Sequence, residues 1–511
     1  MVGRVVRESG AVVGVGGAGL VGVRSEGVSA GGVVGRPGVG GGGGPVVSGV
    51  VLFVGSVLLS LVFWPGHMDA DALNQISEAR SGKFTDWWAP VLDWLWRGLF
   101  LLHVSPGFVL WATIAVFVFA VYELLRLGLG RRAAVVATLL IAVFPPVLGY
   151  LGSLQRDVWF GASTLAAYAL VARAQKSGGA QRTLAAVGAL VAIWFALAAR
   201  QNALIAVLPA ALMVTNILVG PRRRRGGARW APKVASLFPM AVSVVLLGIF
   251  VLSQQVLTYH VIGAVHTYPQ QEIFEGDLAS LSVRTGKVLV PPDIFPSQNL
   301  NDLRSHYSPY STVPLIVGPS HPLTATASSG GPGAPDLVGK AADRALEHDW
   351  IDEIRSHPMA YLHERWHLWT RLTAWNANAY EPYHPEVDPN PWGYKATYPS
   401  LYRFAGAYLS AFSSGPLEGG ALHRVWVYLA LAGLLAVDLL RRGRPKYLGL
   451  VGWLCAGSVV YFASFFFLGM GVNFRWSWLV AIASVIGLGV DGADCLRRAA
   501  HAKARTLLAI G

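Results

Sequence analysis

An all-α polytopic membrane fold, with about ten transmembrane helices and a long mixed extracytoplasmic loop region, is what this 511-residue chain predicts. Three observations carry that expectation. Hydrophobic residues make up 53% of the chain and charged ones 14%, with a mean hydropathy of +0.47; a soluble protein would carry about 25% charged residues. Apolar runs of span length recur from end to end. The basic residues collect in alternate short loops, as the positive-inside rule requires of cytoplasmic ones. That placement explains the net charge of +13 as a topology signal, so no nucleic-acid partner is expected.

Residues 1–45 are mostly Gly and Val with scattered Arg. Such a composition cannot bury a core, and the segment is expected to be disordered. The apolar run that follows starts too late for a cleaved signal peptide. Residues 46–256 hold seven apolar runs, at about 46–64, 105–126, 133–151, 157–174, 183–199, 203–220 and 234–256. Pro145 and Pro146 should kink the third. Residues 424–493 hold three more, at about 424–440, 448–469 and 477–493, and 494–511 form a basic tail. Under this map the clusters around Arg126, Arg131 and Arg132, around Lys176 and Arg182, at 222–233, at 441–446 and after 496 all face one side. That side is then cytoplasmic, together with both termini, and the protein is a multi-pass cell-membrane protein in contact with membrane lipids.

The other side receives a loop at 65–104 and a long segment at 257–423. A segment of that length usually has its own fold or function. SSGGPGAP at 328–335 reads as a flexible break. Residues 341–375 place apolar and aromatic residues at helical spacing, predicting an amphipathic helix on the membrane surface. Cys455 and Cys495 fall in or beside spans and indicate no disulfide framework.

The chemistry is concentrated at 64–96, where five carboxylates, five Trp and two Pro follow directly on the first apolar run. Carboxylates at a span end are costly unless they are paired or do work. Asp71 is the leading candidate for a general base, with Asp69 the alternative; on a helix the two sit about 200° apart, so one of them would face a cavity. Either could instead N-cap a helix running through Ala79. Three arginines break the positive-inside trend on this same side: Arg156 beside Asp157, Arg200 in a very short link with Asn202, and Arg475. The planar fork of Arg suits phosphate, and a lipid phosphate is the anion at hand.

These residues resemble the GT-C type of polyprenyl-phosphate-sugar-dependent membrane glycosyltransferase, the class that includes protein mannosyltransferase-like enzymes. The stretch from Pro65, with Asp71, Gln75 and the Trp88-Ala89-Pro90 turn, resembles the family's first outer loop, although Ala89 stands where a His is usual. RDVWF at 156–160, ARQNAL at 199–204 and FRW at 474–476 resemble later elements, in the expected order. The resemblance implies an inverting transfer of a sugar, hexosyl or pentosyl, from a polyprenyl-phosphate donor to an extracytoplasmic acceptor hydroxyl on a glycan, lipid or protein. Asp71 or Asp69 would be the base; Arg200, Arg475 and Arg156 would hold the donor phosphate; Asp157, Gln75, Asp86 and Asn202 would support them. A divalent cation is a candidate cofactor, though no metal ligands are assigned to it.

Two rivals come from other classes. Residues 363–367 read H-E-x-x-H, which on a helix could present His363 and His367 to zinc with Glu364 as base, as in a membrane metalloprotease. Arg365 inside that motif opposes a cation. A polytopic transporter or lipid flippase would place charges at mid-span, whereas here they gather at span ends.

Overall fold

The computed structural model describes residues 44–219, 234–316, 322–323, 340–375, 386–413, 421–442 and 446–510. The N-terminal segment to residue 43, the 222–233 basic cluster and the 328–335 break lie outside the described residues. Everything described is helical or irregular, with isolated β-bridges in place of strands. The first half of the chain gives α1 (Gly44–Phe63), α2 (Ala70–Ser81), α3 (Pro90–Leu101), α4 (Pro106–Leu125), α5 (Arg131–Val143), α6 (Pro145–Leu151), α7 (Arg156–Lys176), α8 (Gly179–Ala199), α9 (Ala203–Val219) and α10 (Val234–Val256). There follow α11 (Gln271–Thr285), α12 (Leu300–His306), α13 (Val313–Ile316), α14 (Lys340–Ser356), α15 (Pro358–Leu372), α16 (Pro399–Ser413), α17 (Val425–Arg442), α18 (Lys446–Ala463), α19 (Phe465–Leu468) and α20 (Trp478–Ile510).

All ten apolar runs are helices. Six of the helices are long and apolar enough to cross a membrane, and seven if α5 and α6, bent by 71° at the Phe144–Pro145 junction, count as one span. That bend is the kink expected of the Pro pair, which can start a helix but cannot continue one. The other three runs fall short of a span for visible reasons. Helix α7 carries Arg156, Asp157, Arg173 and Lys176, α9 has 17 residues around Pro209, and α17 ends in Asp438, Arg441 and Arg442.

Helix α7 sits centrally, packed on α4, α8 and α9, while α17, α18 and α20 form a second group joined to it through α9 and α18. Ala-rich faces on α7, α8 and α9 let these helices approach closely. Gly161 has the same purpose for α20: a Cβ there would stand 2.5 Å from the ring of Trp478, whose indole N–H donates to Val147 O at 3.1 Å. Large apolar side chains on α1 and α10 (Phe53, Leu58, Phe238, Val244, Leu252) are exposed, as helices facing acyl chains would be.

One expectation needs correction. The amphipathic stretch at 341–375 is two helices, α14 and α15, because Pro358 lacks the N–H that would continue the first and instead opens the second. The last apolar run continues into the basic tail as one helix, since no Gly or Pro after Gly492 interrupts α20. The segment after α10 has its own buried cluster, in which Phe274 and Leu278 of α11 meet Ile294, Phe295, Leu303, Leu315 and Leu346.

Candidate active site

Helix α2 sets the first side of the site. Asp69 is its N-cap, accepting from Ala72 N at 2.9 Å, and Gly82 ends it in the left-handed conformation, with its N–H donating to Glu78 O at 2.8 Å. Ala72, Ile76 and Ala79 are fully buried, so this face seats the helix. Asp71, in the first turn, is directed to the side. The two candidate bases are therefore not equivalent: Asp69 is held by the helix it caps and by the amide of Gln155.

Four separate segments meet at Arg475. Its Nη1 lies 2.5 Å from Asp71 Oδ2 and 3.5 Å from Asp69 Oδ2, and its Nε lies 3.7 Å from Asp157 Oδ2. Asp157 is also 2.5 Å from Arg200 Nη2. Asp157 opens α7 and Arg200 caps the C-terminus of α8, each at the helix end whose dipole favours its charge. The side chain of Asp157 is 3% exposed, that of Asp69 19% and that of Asp71 32%, so Asp71 is the carboxylate most open to an incoming molecule. At the far end of α7, Arg173 pairs with Glu123 at the C-terminal end of α4, at 3.9 Å. The arginines of the motif and those of the basic loops thus occupy opposite ends of the bundle.

Not every candidate joins this cluster. Arg156 donates to Trp87 O at 3.0 Å and lies 5.5 Å over the Trp88 ring, gripping the turn that contains Ala89. Gln75 donates to Asp93 at 2.9 Å. Asp86 accepts from Thr267 N and Oγ1 and from Tyr259 Oη, at 2.6–2.9 Å; it latches the 65–104 loop to the segment after α10. Asn202 lies beside Tyr461, next to Arg200.

Several contributors escaped the sequence reading. Gln155 carries no charge to mark it. Asn473 caps the single turn Phe474–Ser477 by accepting from Arg475 N, and Tyr150 Oη donates to it at 3.0 Å, which orients Arg475. Glu272 of α11 feels the charges of Asp71, Arg156 and Arg475; burial pushes its carboxyl up to about 7 against a hydrogen bond from Thr312. Beneath α2, burial raises Glu78 to about 7, although Thr85 donates to it twice, and Asp93 is raised well above its ordinary value by burial and by Glu78. A chain position alone could not have shown that Glu272 faces residues 200 positions away in either direction.

The H-E-x-x-H stretch lies on α15, but its middle is committed elsewhere. Glu364 pairs with Arg284 at 2.7 Å and accepts from Tyr307, while Arg365 is buried against Asp277 and Gly469 O. His363 is 56% exposed. Among the described residues no three His, Cys, Asp or Glu side chains stand where they could hold a metal ion together.

No family model matches the chain, and no curated protein matches it. Among solved structures it is similar to the archaeal oligosaccharyltransferase AglB from Archaeoglobus fulgidus, determined in complex with an inhibitory peptide and a dolichol-phosphate. The TM-score is 0.36 at 12% identity, over 90% of this chain and 52% of that one. The chain spans about half the length of that enzyme. A TM-score of 0.36 falls short of a shared fold, so the likeness assigns neither family nor activity.

Proposed function

We propose that the protein is a multi-pass membrane glycosyltransferase with about ten spans, its site on the extracytoplasmic face and both termini cytoplasmic. It moves a sugar from a polyprenyl-phosphate donor to an acceptor hydroxyl with inversion. The observation that carries this reading is the meeting of Asp71, Asp157, Arg200 and Arg475 from four distant segments at one end of an apolar bundle. Asp69, Asp71 and Asp157 are balanced by Arg475, Arg200 and the nearby charge of Arg156, and a lipid phosphate can enter such a site by exchanging with a carboxylate.

The acceptor oxygen attacks the anomeric carbon while its proton passes to Asp71. The bond from that carbon to the phosphate oxygen breaks, and the polyprenyl phosphate leaves with the electron pair. Arg475 now holds Asp71; as the donor phosphate takes over its fork, the carboxylate is released to accept the proton. Arg200, anchored by Asp157, stabilises the departing charge, a large catalytic term where water is excluded. Arg156 acts at one remove by holding the 87–90 turn.

Mass spectrometry of envelope glycans from cells lacking the gene, complemented with wild type or Asp71→Asn, tests the reading. The variant is expected to insert normally and to restore no glycan. Full restoration by Asp71→Asn would sink the assignment.

A further inference from the structure

A cavity opens along α2, with a volume of about 520 Å³, inside the range of about 300–1,000 Å³ typical of small-molecule clefts. Leu73, Asn74 and Ser77 line one wall, and Asp388, Pro391 and Trp392 the other. The two walls are pinned together. Met68 N donates to Glu386 O at 3.2 Å, Asp388 N to Met68 O at 2.9 Å and Thr397 N to Trp64 O at 2.9 Å. Arg80 donates to Tyr394 and stands 5.7 Å over the Trp392 ring, bracing the indole.

Resting on the glycosyltransferase reading, we propose that this cleft seats a sugar residue of the acceptor, which makes the acceptor a glycan. A pyranose or furanose offers an apolar C–H face and a rim of hydroxyls that both donate and accept. Trp392 and Pro391 supply the flat apolar surface; Asn74 and Ser77 each donate and accept, and Asp388 accepts. A peptide adding as a strand would need a free backbone edge, but Met68 and Val387 already form a bridge there. An anionic headgroup would need cations, and neither Lys nor Arg lines the cleft. Asn74 follows Asp71 by one helical turn, which sets their Cβ atoms about 5–6 Å apart. A hydroxyl of a sugar held by Asn74 therefore borders Asp71, the most exposed carboxylate of the site.

The test uses the full chain in detergent, with saturation-transfer NMR and calorimetry against a panel of trisaccharides of mannose, glucose, galactose and arabinose. At least one trisaccharide is expected to bind, with Trp392→Ala and Asn74→Ala each about ten-fold weaker, the loss of one aromatic or polar contact. Because Trp392 also packs, Ser77→Trp, which fills the cleft without removing a contact, should abolish binding on its own. Asp71→Asn should bind the sugar and fail to transfer. Equal affinity in wild type and Ser77→Trp, or no binding of any trisaccharide by wild type, overturns the cleft assignment. Binding that survives while Asp71→Asn retains full transfer overturns the glycosyltransferase reading instead.

Discussion

Arg475 Nη1 stands 2.5 Å from Asp71 Oδ2, and the same guanidinium reaches toward Asp69 and Asp157. One side chain thus ties the loop before α2 to the start of α7. Its orientation is fixed by Asn473, which accepts from its backbone N–H, and by Tyr150 behind Asn473. Replacing Arg475 with Gln keeps length and some hydrogen bonding but removes the charge. Transfer is expected to fall by about 10²–10³, the usual loss when one preorganised charge or donor is removed from an active site. Arg475→Lys should recover only part of it, because an ammonium cannot bridge two partners as the planar fork does. Initial rates in isolated membranes carrying matched amounts of each variant check both.

Asp69 and Asp71 should separate cleanly by readout. Asp69→Ala removes the N-cap of α2 and is expected to lower stability by about 1 kcal/mol. Asp71→Asn leaves the cap intact, and Arg475 retains Asp69 and Asp157, so the thermal midpoint should hold while activity is lost. Melting curves of the purified variants decide the matter. A stable Asp69→Ala with an unstable Asp71→Asn would exchange the two roles.

Much of this was legible in the chain because membrane helices and charge placement are local properties. The ten apolar runs, the Pro145 bend and the grouping of Arg200 and Arg475 with Asp71 follow from composition and loop sidedness. Gln155, Asn473 and Tyr150 were not legible, since uncharged polar residues near span ends are common and only packing shows which one faces a carboxylate. Asp86 misled for the converse reason. Its charge in the motif loop drew it into the site, yet Thr267 and Tyr259 claim it as a latch. Spacing on α15 matched a zinc motif, but spacing alone cannot reveal that Arg365 faces the interior and Glu364 is already paired.

That motif yields a sharp contrast. His363→Ala, at an exposed position, should change stability by no more than about 0.5 kcal/mol and release no zinc measurable by elemental analysis. Arg365→Met strands Asp277 in a buried position and is expected to cost about 3–5 kcal/mol. Arg365→Met with Asp277→Leu should recover much of that loss, since the pair is then replaced by apolar bulk. One equivalent of zinc lost on His363→Ala would restore the metalloprotease reading.

The buried carboxyls Glu78 and Glu272 should make stability fall as pH rises. Each is pushed by burial from 4.5 up to about 7 in the folded protein, while in the unfolded chain each ionises near 4.5. Between those values the folded state holds protons that the unfolded state has released, so this contribution is favourable below about pH 4.5 and is lost progressively until about pH 7. The cost at neutral pH is on the order of 1–3 kcal/mol for each group. Glu78 is faced by Thr85, whose two donors favour the ionised form, by Asp86 and Asp93, and by Arg156. Glu272 is faced by Thr312 and by the charges of Asp71, Arg156 and Arg475. Glu78→Gln is therefore expected to flatten the decline of the thermal midpoint between pH 4.5 and 7 and to stabilise the protein at pH 8. Adding Glu272→Gln should flatten it further. A midpoint that rises across this window in the wild type, or a slope unchanged in the double variant, would show that neither carboxyl holds its proton in the fold.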